Sequence, residues 1–194
     1  MLIADLLEDY DIRKVPVDVF ELSQKMHIGI KYASEIAKKK PSLSYSLWKY
    51  PDSYFYYNPE TQKYIVFIND VMCSWHRQRF SLAHELIHII SGHQEQNDKN
   101  ESEANFGASY LLAPTSLSLI VSQNDILLTP EKVETLFDVS ASEAQIIVRY
   151  NKSRISLCPL KEKPYEKKIN ELLIESLNER IADIDNIKNL RHSQ

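Results

Sequence analysis

A five-residue motif constrains this chain more than any other feature: residues 84–88 are His-Glu-Leu-Ile-His. On an α-helix, positions four apart lie on one face about 6 Å from each other, so both imidazoles can reach one metal ion. Glu85 lies about 100° around the helix from His84, where it can accept a proton from water beside the metal without becoming a ligand. The neighbouring residues are apolar: Leu82, Ala83, Leu86, Ile87, Ile89 and Ile90. The segment therefore predicts a buried helix that carries a metal site.

A catalytic zinc site needs a third protein ligand and an open position for water. His93 is one residue short of Gln94, where the long form of the motif has its third histidine. Glu101 and Asn105 share a helical face, so one can bind the metal while the other supports a ligating histidine. We therefore predict Glu101 as the third ligand, with Glu103 as the alternative and His93 as the least favoured candidate.

Composition excludes several other kinds of site. The chain has three glycines in 194 residues, too few and too scattered for the clustered glycines of phosphate-binding loops. Cys73 and Cys158 stand alone, without the paired spacing of a disulfide framework or a thiolate zinc site. The formal net charge of −4 argues against general coating of nucleic acid. The acidic first residues and the lack of a long apolar run predict a soluble cytoplasmic protein without a membrane span.

Periodicity along the chain predicts an α+β fold. Helix signals occur at residues 2–9, after Pro16, at 74–90, at 101–112, after Thr129-Pro130 and at the capping box that begins with Ser140. Gly92 is placed as the C-terminal cap of the helix at 74–90. Strand signals occur at residues 28–32 and within 42–69, where Leu43, Tyr45 and Leu47 alternate with serines. We predict a small antiparallel sheet of about three strands in the 42–69 region.

The C-terminal part predicts a separate element. Residues 151–166 have the composition of a linker, and a last amphipathic helix follows with apolar residues three or four apart. We therefore predict a main domain at 1–155, and a linker with a C-terminal helix at 156–194. That helix can fold back on the domain or dock a partner, and the pattern does not decide between the two.

The predicted helices at residues 130–137 and 141–151 have the proportions of a helix-turn-helix, with Gln145 and Arg149 on one exposed face. Because the protein is acidic, we assign them to the main domain and do not expect direct DNA binding.

Several ordered motifs resemble those of the ImmA/IrrE family of zinc metallopeptidases. They are residues 79–88 (RFSLAHELIH), 101–108 (ESEANFGA), 111–114 (LLAP) and 137–140 (FDVS). The resemblance covers roughly residues 15–150. It implies a zincin-like fold, with the small sheet packed on the motif helix and further helices C-terminal to it. Two positions differ from the family pattern: Ile87 stands where a glycine is usual, and Asn105 where related peptidases have an aspartate.

The resemblance also implies a site and a function. His84, His88 and Glu101 would bind one zinc ion per chain, as in gluzincins, and Glu85 would be the catalytic carboxylate. The expected activity is endopeptidase cleavage of a helix-turn-helix repressor, which derepresses a phage, mobile-element or stress regulon. The alternative is a zinc-containing module with little activity that binds and sequesters a transcriptional regulator. The uncharged Asn105 bears on this choice, because it cannot raise the basicity of a ligating histidine as an aspartate does.

Overall fold

The computed structural model describes residues 2–95, 97–123, 128–157 and 162–192. The chain divides into two compact units: a sheet unit, Val19–Ser109, and a helical unit formed by Met1–Asp18 and Tyr110–Gln194. The helices of the described residues are α1 (Leu2–Asp9), α2 (Val19–Lys25), α3 (Ala33–Lys39), α4 (Trp75–Ser91), α5 (Asp98–Leu112), α6 (Thr115–Gln123), α7 (Pro130–Phe137), α8 (Ala141–Leu157) and α9 (Pro164–His192). No single described helix is long and apolar enough to cross a membrane.

The described residues of the sheet unit form three strands: β1 (Gly29–Tyr32), β2 (Ser53–Asn58) and β3 (Lys63–Ile68). Their order is β1-β3-β2, with β1 parallel and β2 antiparallel to the central strand. Val66, Phe67 and Ile68 of β3 are all buried, as expected for a strand covered on both faces. The α+β class is therefore confirmed, but the predicted antiparallel sheet is mixed.

The predicted strand at residues 42–47 is wrong. Pro41–Lys49 forms a 3₁₀ helix, with Pro41 in its first turn, where a missing N–H costs nothing. Both edges of β3 are already paired, so this segment has no place beside the central strand. Leu47 packs instead with Ala33 and Phe67 in a small core on one face of the sheet.

Helix α4 lies against β2 and β3 on the other face and is the element that the motif predicted. Its apolar side chains Leu82 and Leu86 are fully buried. The Ser74 hydroxyl caps the first turn by accepting from the Arg77 backbone N–H at 3.4 Å. Gly92 ends the helix in the left-handed conformation, with φ of 67°, which confirms the predicted C-terminal cap.

The helical unit confirms two predicted helix starts. The Thr129 hydroxyl accepts from the Lys132 backbone N–H at 3.3 Å, directly before α7. The Ser140 hydroxyl accepts from the Glu143 backbone N–H at 3.2 Å, directly before α8. Both contacts satisfy backbone donors that have no partner within their own helix.

The predicted linker at residues 151–166 is largely helical, which corrects the sequence interpretation. Helix α8 continues to Leu157, and α9 already begins at Pro164, with residues 158–161 outside the described part. An ion pair between Arg154 and the buried Glu166 joins the two helices. Two polar residues of the predicted linker therefore lie in helices and bind each other. The boundary of the main domain near residue 155 stays a prediction, although the compact units divide the chain elsewhere.

Candidate metal centre

Helices α4 and α5 bring the three predicted ligands together within the sheet unit. The two Nε2 atoms of His84 and His88 are 2.9 Å apart. Glu101 offers one carboxylate oxygen to each ring, at 3.3 Å from His84 Nε2 and 3.5 Å from His88 Nε2. Tetrahedral ligands about 2.0–2.1 Å from a shared zinc ion stand about 3.3 Å from one another. The donor set and its spacing therefore fit a metal of this kind.

The surroundings of both histidines disfavour their charged form. Burial lowers the pKa of His84 below its ordinary value, against the opposing effect of the Glu101 charge. The pKa of His88 is also lowered, first by burial and then by His84. A neutral imidazole keeps a lone pair on one nitrogen, which is the ligating form.

The far nitrogen of His84 has a hydrogen-bond partner. Its Nδ1 lies 3.1 Å from the amide oxygen of Asn105, one helical turn beyond Glu101 on α5. An amide oxygen only accepts, so this contact favours the tautomer of His84 that carries its proton on Nδ1 and leaves Nε2 available to a metal. Asn105 thus takes the supporting position that its spacing from Glu101 predicted.

Neither alternative ligand belongs to the three-residue group. His93 Nδ1 lies 3.0 Å from Nδ1 of His88, on the side of that ring away from Glu101. Glu103 lies 3.6 Å from the other nitrogen of His93. The structure therefore places both residues behind His88 rather than beside the three donor atoms.

Glu85 has the environment of a general base. Its side chain is buried, and the Ser53 hydroxyl donates to its Oε1 at 2.7 Å. Burial raises the pKa of Glu85 to about 7, which outweighs the lowering effect of the bonds from Ser53 and from the Phe55 backbone. A carboxylate with a pKa near neutrality can both take up and release a proton at physiological pH.

No sequence pattern indicated the role of Ser53. It precedes Glu85 by 32 residues, and the contact depends on how β2 lies against α4. A serine at the start of a strand carries no pattern of its own, so only the folded structure reveals this bond.

A cavity of about 600 Å³ opens beside these groups. Its lining includes all four predicted site residues, together with Ser53, Tyr54 and Phe55 of β2 and residues 93–95, 97 and 98. The Phe55 ring stacks on His88 with centroids 6.0 Å apart, which supplies an apolar wall. Within the described residues, β2 pairs only with β3, so one edge of a strand that lines the cavity remains free.

The family follows from a comparison with known proteins. The model of the Peptidase M78 family, described as the IrrE N-terminal-like domain, matches residues 43–147, more than half of the chain. The chain belongs to this metallopeptidase family. The match confirms the resemblance, and its range contains His84, Glu85, His88 and Glu101. A search of curated proteins finds no match to the chain.

Proposed function

We propose that the protein is a zinc-dependent endopeptidase with a zincin-like arrangement. His84, His88 and Glu101 hold the metal, and Glu85 is the general base. The observation that carries the proposal is the meeting of three donor atoms from two helices beside a buried carboxylate in one cavity. A purely structural metal site is commonly closed by four protein ligands, whereas three ligands leave a position open for chemistry.

Zinc suits this donor set, because two neutral imidazoles and one carboxylate are ligands of its catalytic sites. When bound, zinc supplies a Lewis acid that polarises a peptide carbonyl and lowers the pKa of water. We expect one zinc ion per chain. Elemental analysis of protein purified without added metal measures this ratio, and a low ratio that added zinc does not restore would contradict the proposal.

Glu85 moves the proton. In the proposed reaction its carboxylate takes the proton from the attacking water and then passes it to the leaving amine nitrogen. Ser53 holds Oε1 of Glu85 through its hydroxyl and so fixes the carboxylate on the wall of the cavity. The pKa of Glu85 near 7 suits both halves of this transfer.

The free edge of β2 offers a way to bind the substrate. An extended peptide can add to an unpaired strand edge through main-chain hydrogen bonds. Because β2 also lines the cavity, a peptide on that edge would run beside Glu85 and the proposed ligands. The proposed substrate is a helix-turn-helix repressor in the cytoplasm. Its support is the family resemblance, not a feature of the cavity.

One observation favours a second function, a metal-containing module that sequesters a regulator without cutting it. The far nitrogen of His84 is backed by the uncharged Asn105 rather than by a carboxylate. A neutral partner orients the imidazole but does not raise its basicity, which predicts lower catalytic efficiency. The two functions differ in whether Glu85 is needed.

The deciding experiment uses Glu85→Gln. Glutamine has nearly the size of glutamate and can still accept from Ser53, but it cannot take up the proton. If the protein is a peptidase, the variant keeps its zinc and its partner, and cleavage slows by about 10²–10⁴-fold. The assay follows fragments of the candidate repressor and derepression of its promoter at matched protein abundance.

The control is Glu60→Gln, an exposed residue in the turn between β2 and β3, which should cleave as the wild type does. Full derepression by Glu85→Gln, without fragments from either protein, would reject the peptidase and support the sequestering module.

A further inference from the structure

We propose that Glu103 and His93 form a relay that fixes His88 in the metal-binding tautomer. The inference rests on the proposed metal site. It assigns a positioning role to Glu103 and His93, which are the alternative ligands that the sequence suggested. The relay runs from the Glu103 carboxylate to His93 Nε2, and from His93 Nδ1 to Nδ1 of His88.

The backbone at the end of α4 creates this contact. Gly92 has a φ of 67°, a conformation that glycine adopts at no steric cost. The chain then turns back, so that the His93 backbone N–H donates to the His88 carbonyl at 3.0 Å and the Gly92 N–H donates to the Ile89 carbonyl at 3.1 Å. The His93 ring consequently lies across the His88 ring, with centroids 5.0 Å apart.

The contact between the two Nδ1 atoms permits only one proton arrangement if His88 binds a metal. A 3.0 Å contact between two neutral imidazoles needs one N–H donor and one acceptor. His88 must keep the lone pair on Nε2, which faces Glu101 and His84, so its proton is on Nδ1. His88 is therefore the donor, and His93 accepts through its own Nδ1.

Glu103 selects the matching form of His93. If Nδ1 of His93 accepts, the proton of that ring is on Nε2, and Nε2 lies 3.6 Å from the Glu103 carboxylate. The negative charge favours a proton at that position. The opposite tautomer of His93 would place its proton against His88 and push the proton of His88 onto Nε2, where it would block the metal.

The relay also brings a charge to the site. His84 is backed by the neutral Asn105, whereas His88 is backed, through His93, by a carboxylate. The His93 side chain is 9% exposed, so its contact with His88 is shielded from water, while Glu103 is 58% exposed. We therefore expect a large contribution from His93 and a small one from Glu103.

The test compares His93→Leu with His93→Asn. Leucine removes the acceptor, whereas the amide oxygen of asparagine can occupy the place of Nδ1. Zinc affinity, measured by competition with a chromophoric chelator, should fall about 10–100-fold in His93→Leu, the range for losing a partner of a ligating histidine. His93→Asn should stay within about threefold of the wild type. His76→Leu, in the first turn of α4, is the control and should bind zinc as the wild type does.

Glu103→Gln provides a variant that carries little risk to the fold. It should weaken zinc binding about two- to fivefold, as expected for an exposed charge, and Glu60→Gln should not. Two-bond proton–nitrogen correlation spectra of the zinc-loaded wild type report the tautomers directly. They should show the proton of His88 on Nδ1 and that of His93 on Nε2.

Three results would overturn the relay. They are wild-type zinc affinity in His93→Leu, an equal loss in His93→Leu and His93→Asn with unchanged stability of the metal-free protein, and a proton on Nδ1 of His93 in the spectra. Failure of the proposed function is a separate result, because it appears as a wild-type protein that binds no zinc.

Discussion

Glu101 and Glu103 are two residues apart on α5, and their carboxylates consequently face different partners. Glu101 approaches both His84 and His88, whereas Glu103 approaches His93. We predict that Glu101→Ala lowers zinc affinity by more than the 10- to 100-fold typical of losing a supporting partner, because it removes one of three ligands. Chelator competition on Glu101→Ala and Glu103→Ala measures the ranking. A larger loss in Glu103→Ala would show that the wrong carboxylate has been assigned.

Local spacing predicted the residues of the site only in part. His84, Glu85 and His88 follow from helical geometry, because their relation depends on one helix. Ser53 does not, because its bond to Glu85 depends on the position of a strand against that helix. The contact of His93 with His88 depends on the left-handed turn at Gly92. The spacing of the motif showed only that His93 stands one residue before the position of the third histidine in the long form, which is Gln94 here.

The packing of helix α4 on helix α5 depends on a glycine. A Cβ at Gly107 would lie 2.8 Å from Cγ2 of Ile87, a buried β-branched side chain that is restricted to few rotamers in a helix. Helix propensity alone favours alanine over glycine by about 1 kcal/mol. We predict that Gly107→Ala nevertheless lowers the free energy of unfolding, because overpacking costs about 1–3 kcal/mol.

The check is a double-mutant cycle measured by urea unfolding. In the Ile87→Ala background the clash is absent, so Gly107→Ala should become neutral or stabilising. An equal loss in both backgrounds would mean that Ile87 is not the obstacle. Ile87 on α4 stands where the family usually has a glycine. In this chain the glycine at the contact between the two helices is Gly107 on α5.

Several helix ends were predicted from local signals, although α3 and α6 were not predicted. The helix start near Ser74, the cap at Gly92 and the starts at Thr129 and Ser140 are confirmed by the structure. The segment at residues 42–47 failed because alternation alone does not show whether a strand has a partner. The parallel pairing of β1 with β3 was missed for the same reason, because it joins strands that are far apart in the sequence.

The junction of α8 and α9 should make stability depend on pH. Glu166 is buried, which opposes its charge, but the Arg154 guanidinium and the Lys163 backbone N–H outweigh burial and lower its pKa. The stabilisation is therefore complete above the unfolded pKa of about 4.3, and it is lost as pH falls through the lower pKa of the folded state.

We predict that Glu166→Gln costs about 3 kcal/mol near pH 7, since it leaves Arg154 without its charged partner. The difference from the wild type should shrink as the pH falls below about 4. Urea unfolding at a series of pH values measures it. The exposed Glu171→Gln on the same helix should stay within about 0.5 kcal/mol of the wild type at every pH. A constant difference for Glu166→Gln would contradict the assignment.

The proposed metal site and the family match cover different parts of the chain. The proposed ligands and Glu85 all lie in the sheet unit, Val19–Ser109. The family match continues to residue 147, well into the helical unit. The proposed site residues therefore lie within one unit, while the family match includes part of the other. The match includes the helix at 130–137 and the first seven residues of the helix at 141–157. The expectation that these helices do not bind DNA stays a prediction.

The C-terminal helix answers a question that its sequence left open. Ile169, Leu173 and Leu177 of α9 are fully buried within the helical unit, so at least this part of the helix belongs to a core. Each of these side chains, removed alone, would cost about 2–5 kcal/mol. A chain that stops before Pro164 loses all three. The combined loss is comparable to the whole free energy of unfolding of a typical protein, which is about 5–15 kcal/mol.

We therefore predict that deletion of residues 164–194 unfolds the helical unit rather than removing an appendage. Circular dichroism should show a helix loss greater than the deleted segment accounts for, and the exposed core should bind a hydrophobic dye. A chain that stops after Asn186 keeps the three buried residues and removes only the end of α9, so it should retain the full transition. If the chain that lacks residues 164–194 still unfolds cooperatively at the wild-type temperature, the helical unit does not depend on α9 and this prediction is wrong.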